Sequence, residues 1–240
     1  MTHSRIVHVA ARPLHGVLLA LPLAMGCFRL AREASPLRQY VLGGLAPDSG
    51  SAMRGGLAVA FRRIDIASYL VVPSVLVRRG TNEIAVSEYH RWGEDVGEAI
   101  NRVVAGNLTG RPPVRTADIA PWATRTRHDY LVQLHIARFE GVTDSTTAPS
   151  ATEGPVHVKA TWDIIRPSDG LILIRGSSDD RSGTWRIGDY ATLVSSLDTA
   201  LLQLARDIGG CLARFRNDST PPATCTTVTT AKHTERTSTR

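Results

Sequence analysis

Between Asp189 and Phe215, apolar side chains return every three or four residues: Tyr190, Leu193, Val194, Leu197, Leu201, Leu204, Ile208, Cys211, Leu212 and Phe215. Such a run reads as one long amphipathic helix with a single apolar stripe. That stripe cannot stay in water and has to be covered by a sheet face or another helix. A second helix is read from about Glu88 to Leu108, where Trp92, Val96, Ile100, Val103 and Val104 fall at helical spacing and Gly110 with Pro112-Pro113 ends it. Its start is set at Ser87, with a partial capping box because His90-Arg91 stand where Glu or Gln is usual.

The partners for these stripes come from alternating segments. Val156 to Ile165 sets Val156, Val158, Ala160, Trp162 and Ile164 on one face and His157, Lys159, Thr161 and Asp163 on the other. Pro167-Ser168-Asp169-Gly170 reads as a turn that returns the chain through Leu171 to Arg175. Tyr130 to Phe139, Val114 to Ile119 and Gly56 to Ile66 are further strands, and Val75–Arg78 with Glu83–Val86 flank a Gly80-Thr81-Asn82 turn as a small hairpin. Aromatic residues are only 5% of the chain, so aliphatic side chains must supply most of the core. The economical answer is an α/β domain with two main helices and a mixed sheet of about five strands.

Residues 1–26 read differently. His3, Arg5, His8 and Arg12 form a basic, acid-free start, and Gly16 to Ala24 is a short apolar run. A bilayer span needs about 20 apolar residues, so this run fits the core of a signal peptide instead. Ala24-Met25-Gly26-Cys27 follows, and small residues before a cysteine resemble the lipobox of bacterial lipoproteins, although Leu is usual where Ala24 stands. That resemblance implies diacylglycerol on the Cys27 thiol and cleavage before it. The expected organisation is a signal peptide over 1–26, a lipidated tether over 27–55 with Pro36, Pro47 and a Gly/Ser-rich stretch, a domain over 56–216, and a disordered Thr-rich tail over 217–240. Gln39 to Leu42 is a short extended piece able to dock on the body. Cys211 and Cys225 remain, and an exported chain meets an oxidising compartment. They either bridge or leave Cys211 as a buried thiol on its helix.

The formal charge of +6 falls to +4 once Arg5 and Arg12 leave with the signal, and the other arginines are scattered, as at Arg62-Arg63, Arg78-Arg79 and Arg125/Arg127. A nucleic-acid binder gathers such residues into a stripe with a reading motif, so no nucleic-acid partner is expected. No HExxH, CxxC, GxSxG or phosphate loop occurs, and no catalytic, metal-binding or cofactor-binding residue is assigned. The histidines left after the signal are His90, His128, His135, His157 and His233. A secreted hydrolase using His128 (beside Asp129) or His157 is the competing reading. Glu88 and Glu94 suit an exposed helix start, where carboxylates complement the dipole. Trp92 and Trp162 fall on apolar faces as core residues; Trp122 and Trp185 fall in loops, where binding or membrane contact is open to them.

The order of several short pieces resembles a known family. After the lipobox cysteine come Tyr40-Val41-Leu42, a strand, Tyr69-Leu70, a Val/Arg strand, Ser87-Glu88, Arg91-Trp92, a helix ending Asn107-Leu108, a strand ending Arg138-Phe139, and Ala160-Thr161-Trp162. This is similar to the ABC-type transport auxiliary lipoproteins, the PqiC-like family, over roughly residues 40–212. Ser-Glu-x-x-Arg-Trp is its most specific piece. Val71-Val72-Pro73 departs from the family's Asp/Arg-containing turn. The resemblance implies a non-enzymatic accessory lipoprotein with a three-layer, anticodon-binding-type domain. It implies a periplasmic protein lipid-anchored on the outer membrane, working with an MCE-domain protein and an ABC-type permease in lipid transport and envelope integrity. Phe28 stands where an inner-membrane retention signal would have Asp. A homo-oligomer is compatible with this role, as is a scaffold role in another envelope machine.

Overall fold

The alternation of Val156 to Ile165 builds the middle of the sheet. In the computed structural model, which describes residues 36–43, 55–123, 125–143, 151–217 and 224–230, the strands are β1 (Arg38–Tyr40), β2 (Leu57–Phe61), β3 (Asp65–Ile66), β4 (Ser74–Arg79), β5 (Glu83–Trp92), β6 (Val114–Ile119), β7 (Tyr130–Thr143), β8 (Glu153–Ile165), β9 (Ile172–Arg181), β10 (Thr184–Arg186) and β11 (Thr224–Thr230). The helices are α1 (Val96–Leu108) and α2 (Tyr190–Asn217), and Ser68–Leu70 forms a 3-10 turn. Leu37–Arg240 forms one compact unit. Cys27, the signal segment and most of the tether lie outside the described residues.

The main path of the sheet runs β1-β5-β4-β7-β8-β9-β11. β7, β8 and β9 form an antiparallel meander. β7 then takes parallel partners along its other side: β2 and β3 beside its first half and β4 beside its end. β6 pairs with β2, and β10 returns to β8. The α/β class, the mixed sheet and the two helices are those read from the sequence. Among the described residues the sheet has eleven strands, however, not about five. The added ones are short or polar segments whose pairing depends on residues far away in the chain.

Both helices cover the same face. Val132, Leu134 and Ile136 of β7 stand opposite Ile164, Trp162 and Ala160 of β8. These side chains share one buried cluster with Val96, Ile100, Val103 and Val104 of α1 and Leu193, Leu197, Leu201, Leu204 and Ile208 of α2. Burying a large apolar side chain contributes about 1.5–3 kcal/mol over leaving it exposed, so this face carries most of the folding energy. On the reverse face, Lys159, Thr161, Arg175 and Arg181 are exposed. Close packing requires a glycine at position 176 of β9, where a Cβ would overlap the indole of Trp162 across the strand pair.

Two expectations are corrected. Glu88 does not open a helix, because β5 continues to Trp92 and α1 begins at Val96. The N-cap is Asp95, whose side chain accepts from Glu98 N at 2.9 Å, and Asp95-Val96-Gly97-Glu98 fits a box better because it has a side-chain acceptor at the N-cap and Glu three residues on. The Thr-rich tail contains β11, which runs parallel to β9 from Thr224 beside Arg175 to Thr230 beside Arg181. Cys225 at its start is bonded to Cys211 of α2, with Cα atoms 6.0 Å apart and a sequence separation of 14. No helix among the described residues is long and apolar enough to cross a membrane.

Candidate functional site

The motif residues separated in sequence gather at one end of the sheet. Leu70, Leu76, Trp92, Val96, Ile100 and Phe139 close around one apolar point, and the Trp92 and Phe139 rings stand 5.9 Å apart at 37°. Tyr40 of β1 reaches His90 of β5, its hydroxyl 2.9 Å from Nδ1. That imidazole stacks on Tyr190 of α2 at 4.0 Å and 10°. Burial, then the Arg38 charge, lower the His90 pKa and favour the neutral ring. The first described strand is thus clipped to the start of the last helix.

Behind this cluster lies a polar clamp. Glu140 of β7 is fully buried. Arg78 of β4 donates to it through Nε and, at 3.3 Å, through a terminal nitrogen. Arg138 donates at 3.2 Å. The Tyr69 hydroxyl donates to Glu140 Oε2 at 2.8 Å and stands 3.1 Å from the Ala137 carbonyl, while the Arg78 guanidinium lies over the Tyr69 ring, 5.6 Å from its centroid. A buried carboxylate needs such partners, since an unpaired one carries a large desolvation cost. Burial first, and then the hydrogen bond to Glu140, push the Tyr69 pKa up to about 12. Its phenol therefore stays neutral and remains a donor. The clamp braces; it activates no nucleophile.

What it braces is the turn Val71-Val72-Pro73. Val71 is 60% exposed. Two open grooves flank the turn. One of about 810 Å³ runs past Ile64, Ile66, Ile119 and the start of α1, with Arg63, Arg102, Glu94 and Glu98 among its lining residues. The other, of about 390 Å³, lies between the turn and Trp92-Gly93-Glu94. An apolar, surface-exposed turn held rigidly from below and bordered by grooves with charged rims has the form of a docking site.

The remaining candidates do not converge. His128 pairs with Asp118 at 2.7 Å, His135 with Asp65 at 3.1 Å and His157 with Asp179 at 2.9 Å, each tying a different pair of segments. Asp129, the sequence neighbour of His128, instead accepts from Ala58 N at 2.7 Å, so the two do not act as a dyad. Burial, then Arg181, hold the His157 pKa down. Among the described residues no group of three or more His, Cys, Asp or Glu is placed to hold a metal ion. Trp185 is not in a loop: it lies on β10, almost fully buried and 5.9 Å from the Tyr190 ring. That removes it as a contact for a membrane or partner. Trp122 sits edge-on to His128 at 5.3 Å. Cys27, His233 and the first three histidines lie outside the described residues. The clamp at Glu140 was missed from the sequence. Its one local signal is an acid inside the run Phe139-Glu140-Gly141-Val142, within the four residues by which β7 outruns the strand read from the sequence.

A family model described as the ABC-type transport auxiliary lipoprotein component matches residues 40–209. The crystal structure of a Xanthomonas campestris protein of the family DUF330 superposes with a TM-score of 0.56 at 13% identity, covering 73% of this chain and 94% of that one. That of an uncharacterized protein superposes with a TM-score of 0.53 at 11% identity, covering 74% and 99%. These two share the fold. The PelC dodecamer from Paraburkholderia phytofirmans is 18% identical over 65% of this chain and 92% of that one, with a TM-score of 0.35. No curated protein matches.

Proposed function

The chain belongs to the ABC-type transport auxiliary lipoprotein component family, and from that membership we propose that it is a periplasmic accessory lipoprotein, fixed by acyl chains on Cys27 to the outer membrane, that docks an MCE-domain protein and an ABC-type permease in lipid transport and so supports envelope integrity. The family is one of transport auxiliaries, which is not a class of enzymes. The match over residues 40–209 carries the reading, because it spans the apolar cluster, the clamp and the turn that the clamp holds. The docking element is the turn Val71-Val72-Pro73 with its two grooves.

The anchor follows from the lipobox. Each buried methylene contributes about 0.8 kcal/mol, so several long chains on one cysteine hold for good where a single chain binds only marginally. Because β1 already belongs to the folded unit, the free tether is shorter than residues 27–55. Only ten residue steps separate Cys27 from Leu37, at most about 33–36 Å of extended chain. The domain therefore works close to its membrane.

Two measurements test this reading. Cells fed a palmitate analogue should label the wild-type protein and not the Cys27→Ala variant; label that survives the change removes the anchor. Crosslinking in intact envelopes followed by capture should recover an MCE-domain protein, and recovery should fall severalfold with Val71→Asp. Recovery of components of another envelope machine in its place refutes the transporter assignment.

A further inference from the structure

β1 is three residues long and, among the described residues, is the end strand of the main sheet path, lying parallel to β5 with Arg38 beside His90, Gln39 beside Arg91 and Tyr40 beside Trp92. Tyr40 and His90 turn inward to the α2 stack. By the twofold alternation of a strand, Leu37, Gln39 and Val41 of the first segment and Tyr89 and Arg91 of the second point the other way. Their exposure agrees: Leu37 is 53%, Val41 64% and Tyr89 38% exposed, and Gln39 and Arg91 are exposed as well. Val41 and Gln39 lie together over Gly93, where an added Cβ would meet Val41 Cγ1 at 3.3 Å and Gln39 Cβ at 3.9 Å. The edge therefore presents two aliphatic side chains and a tyrosine, with a guanidinium in register among them.

Single exposed apolar residues are ordinary; a set of them that flanks the first described strand and continues onto its partner is not. The chain preceding this strand is Phe28-Arg29-Leu30-Ala31-Arg32-Glu33-Ala34-Ser35-Pro36, an apolar and basic stretch of the kind that suits the headgroup layer. It ends directly at Leu37. Tyrosine favours the membrane–water boundary, where its ring is apolar on one side and wet at the hydroxyl, and arginine donates bidentately to phosphate.

We infer that the β1–β5 edge is the membrane-facing surface of the domain, with Leu37, Val41 and Tyr89 resting in the headgroup layer of a bilayer and Arg91 on its anionic phosphates. This rests on the lipidation of Cys27 proposed above. It orients the domain: the β11 edge, at the other end of the main path, points away from the bilayer.

The test uses the full-length acylated protein in vesicles of phosphatidylethanolamine and phosphatidylglycerol, with a nitroxide at Tyr89→Cys in one sample and at Val228→Cys in another. Relative to a water-soluble nickel chelate, oxygen should reach the label at position 89 severalfold more readily than the label at 228. A protein that floats with the vesicles while both labels stay equally open to the chelate overturns this inference and leaves the anchor intact. A protein that does not float, with Cys27→Ala behaving as wild type, removes the anchor and the inference with it. Shielding at 89 already present in the unlipidated Cys27→Ala chain in solution assigns this edge to a second copy, and also overturns it.

Discussion

Replacing Cys225 by Ser severs β11 from α2, and the consequence can be worked from the structure. The bridge closes a loop with a sequence separation of 14, and constraining a loop of about 15 residues in the unfolded chain is worth about 3 kcal/mol. The strand depends on it. Fixing seven residues costs about 7–14 kcal/mol of backbone entropy. At about one ladder bond per residue, each contributing about 0.5–1.5 kcal/mol, the pairing with β9 returns only about 4–10 kcal/mol. The shortfall is close to what the bridge supplies. In Cys225→Ser, or on reduction, β11 should therefore leave the sheet. Its amides and those of β9 that pair with it should lose protection in hydrogen exchange followed by mass spectrometry. If β11 unfolds together with the rest, the melting temperature should also fall by about 6–12 °C for a unit of this length. Unchanged protection of Ile172–Arg181, with an unchanged melting temperature, would refute the reasoning, for β11 would then be held by pairing alone.

Three other outcomes follow from the packing. Glu140→Ala leaves the largely buried Arg78 without its carboxylate and should lower the unfolding free energy by about 3–5 kcal/mol in urea denaturation; a loss below about 1 kcal/mol would show a wet, loosely held clamp. The Tyr69 phenol, raised from 10.0 to about 12 by burial and then by Glu140, keeps its proton in the folded state after the unfolded chain has lost it. Its contribution to stability is thus whole below pH 10 and is lost between about pH 10 and 12, and ultraviolet difference titration of Tyr69→Phe should lack the last phenol to ionise. Gly176→Ala sets a methyl into the Trp162 indole and should cost about 1–3 kcal/mol, with a shift in tryptophan emission; no loss would mean that β9 moves away freely.

The parts legible in the sequence are those fixed by local periodicity. α2 was bounded to within two residues because ten apolar positions repeat at one helical spacing, and β8 was read because every second residue is apolar. The start of α1 was misplaced because Trp92 happens to lie four residues before Val96 and so extends the helical series by one false member. Asp95 and Glu98 held the better signal. β11 was hidden because Thr is a good strand former in a polar-looking run, and its partner, β9, is fixed only by the fold. β9 itself was cut short at Arg175 because Gly176, Ser178 and Asp180, which face inward, do not look like core. The clamp is illegible for the same reason. Tyr69, Arg78, Arg138 and Glu140 come from three segments, and none is unusual by itself. Cys27 is the opposite case, an assignment that rests wholly on neighbours in sequence.

The first and last described strands bound the main path of the sheet. Whatever is attached beyond either one becomes a guardian of that edge. A fusion joined directly ahead of Leu37 enters at the β1 edge, and one joined directly after Thr230 leaves from the β11 edge. The two placements will not report the same protein. One perturbs the surface nearest the anchor, while the other decides whether a Thr-rich strand stays open for pairing with a neighbour.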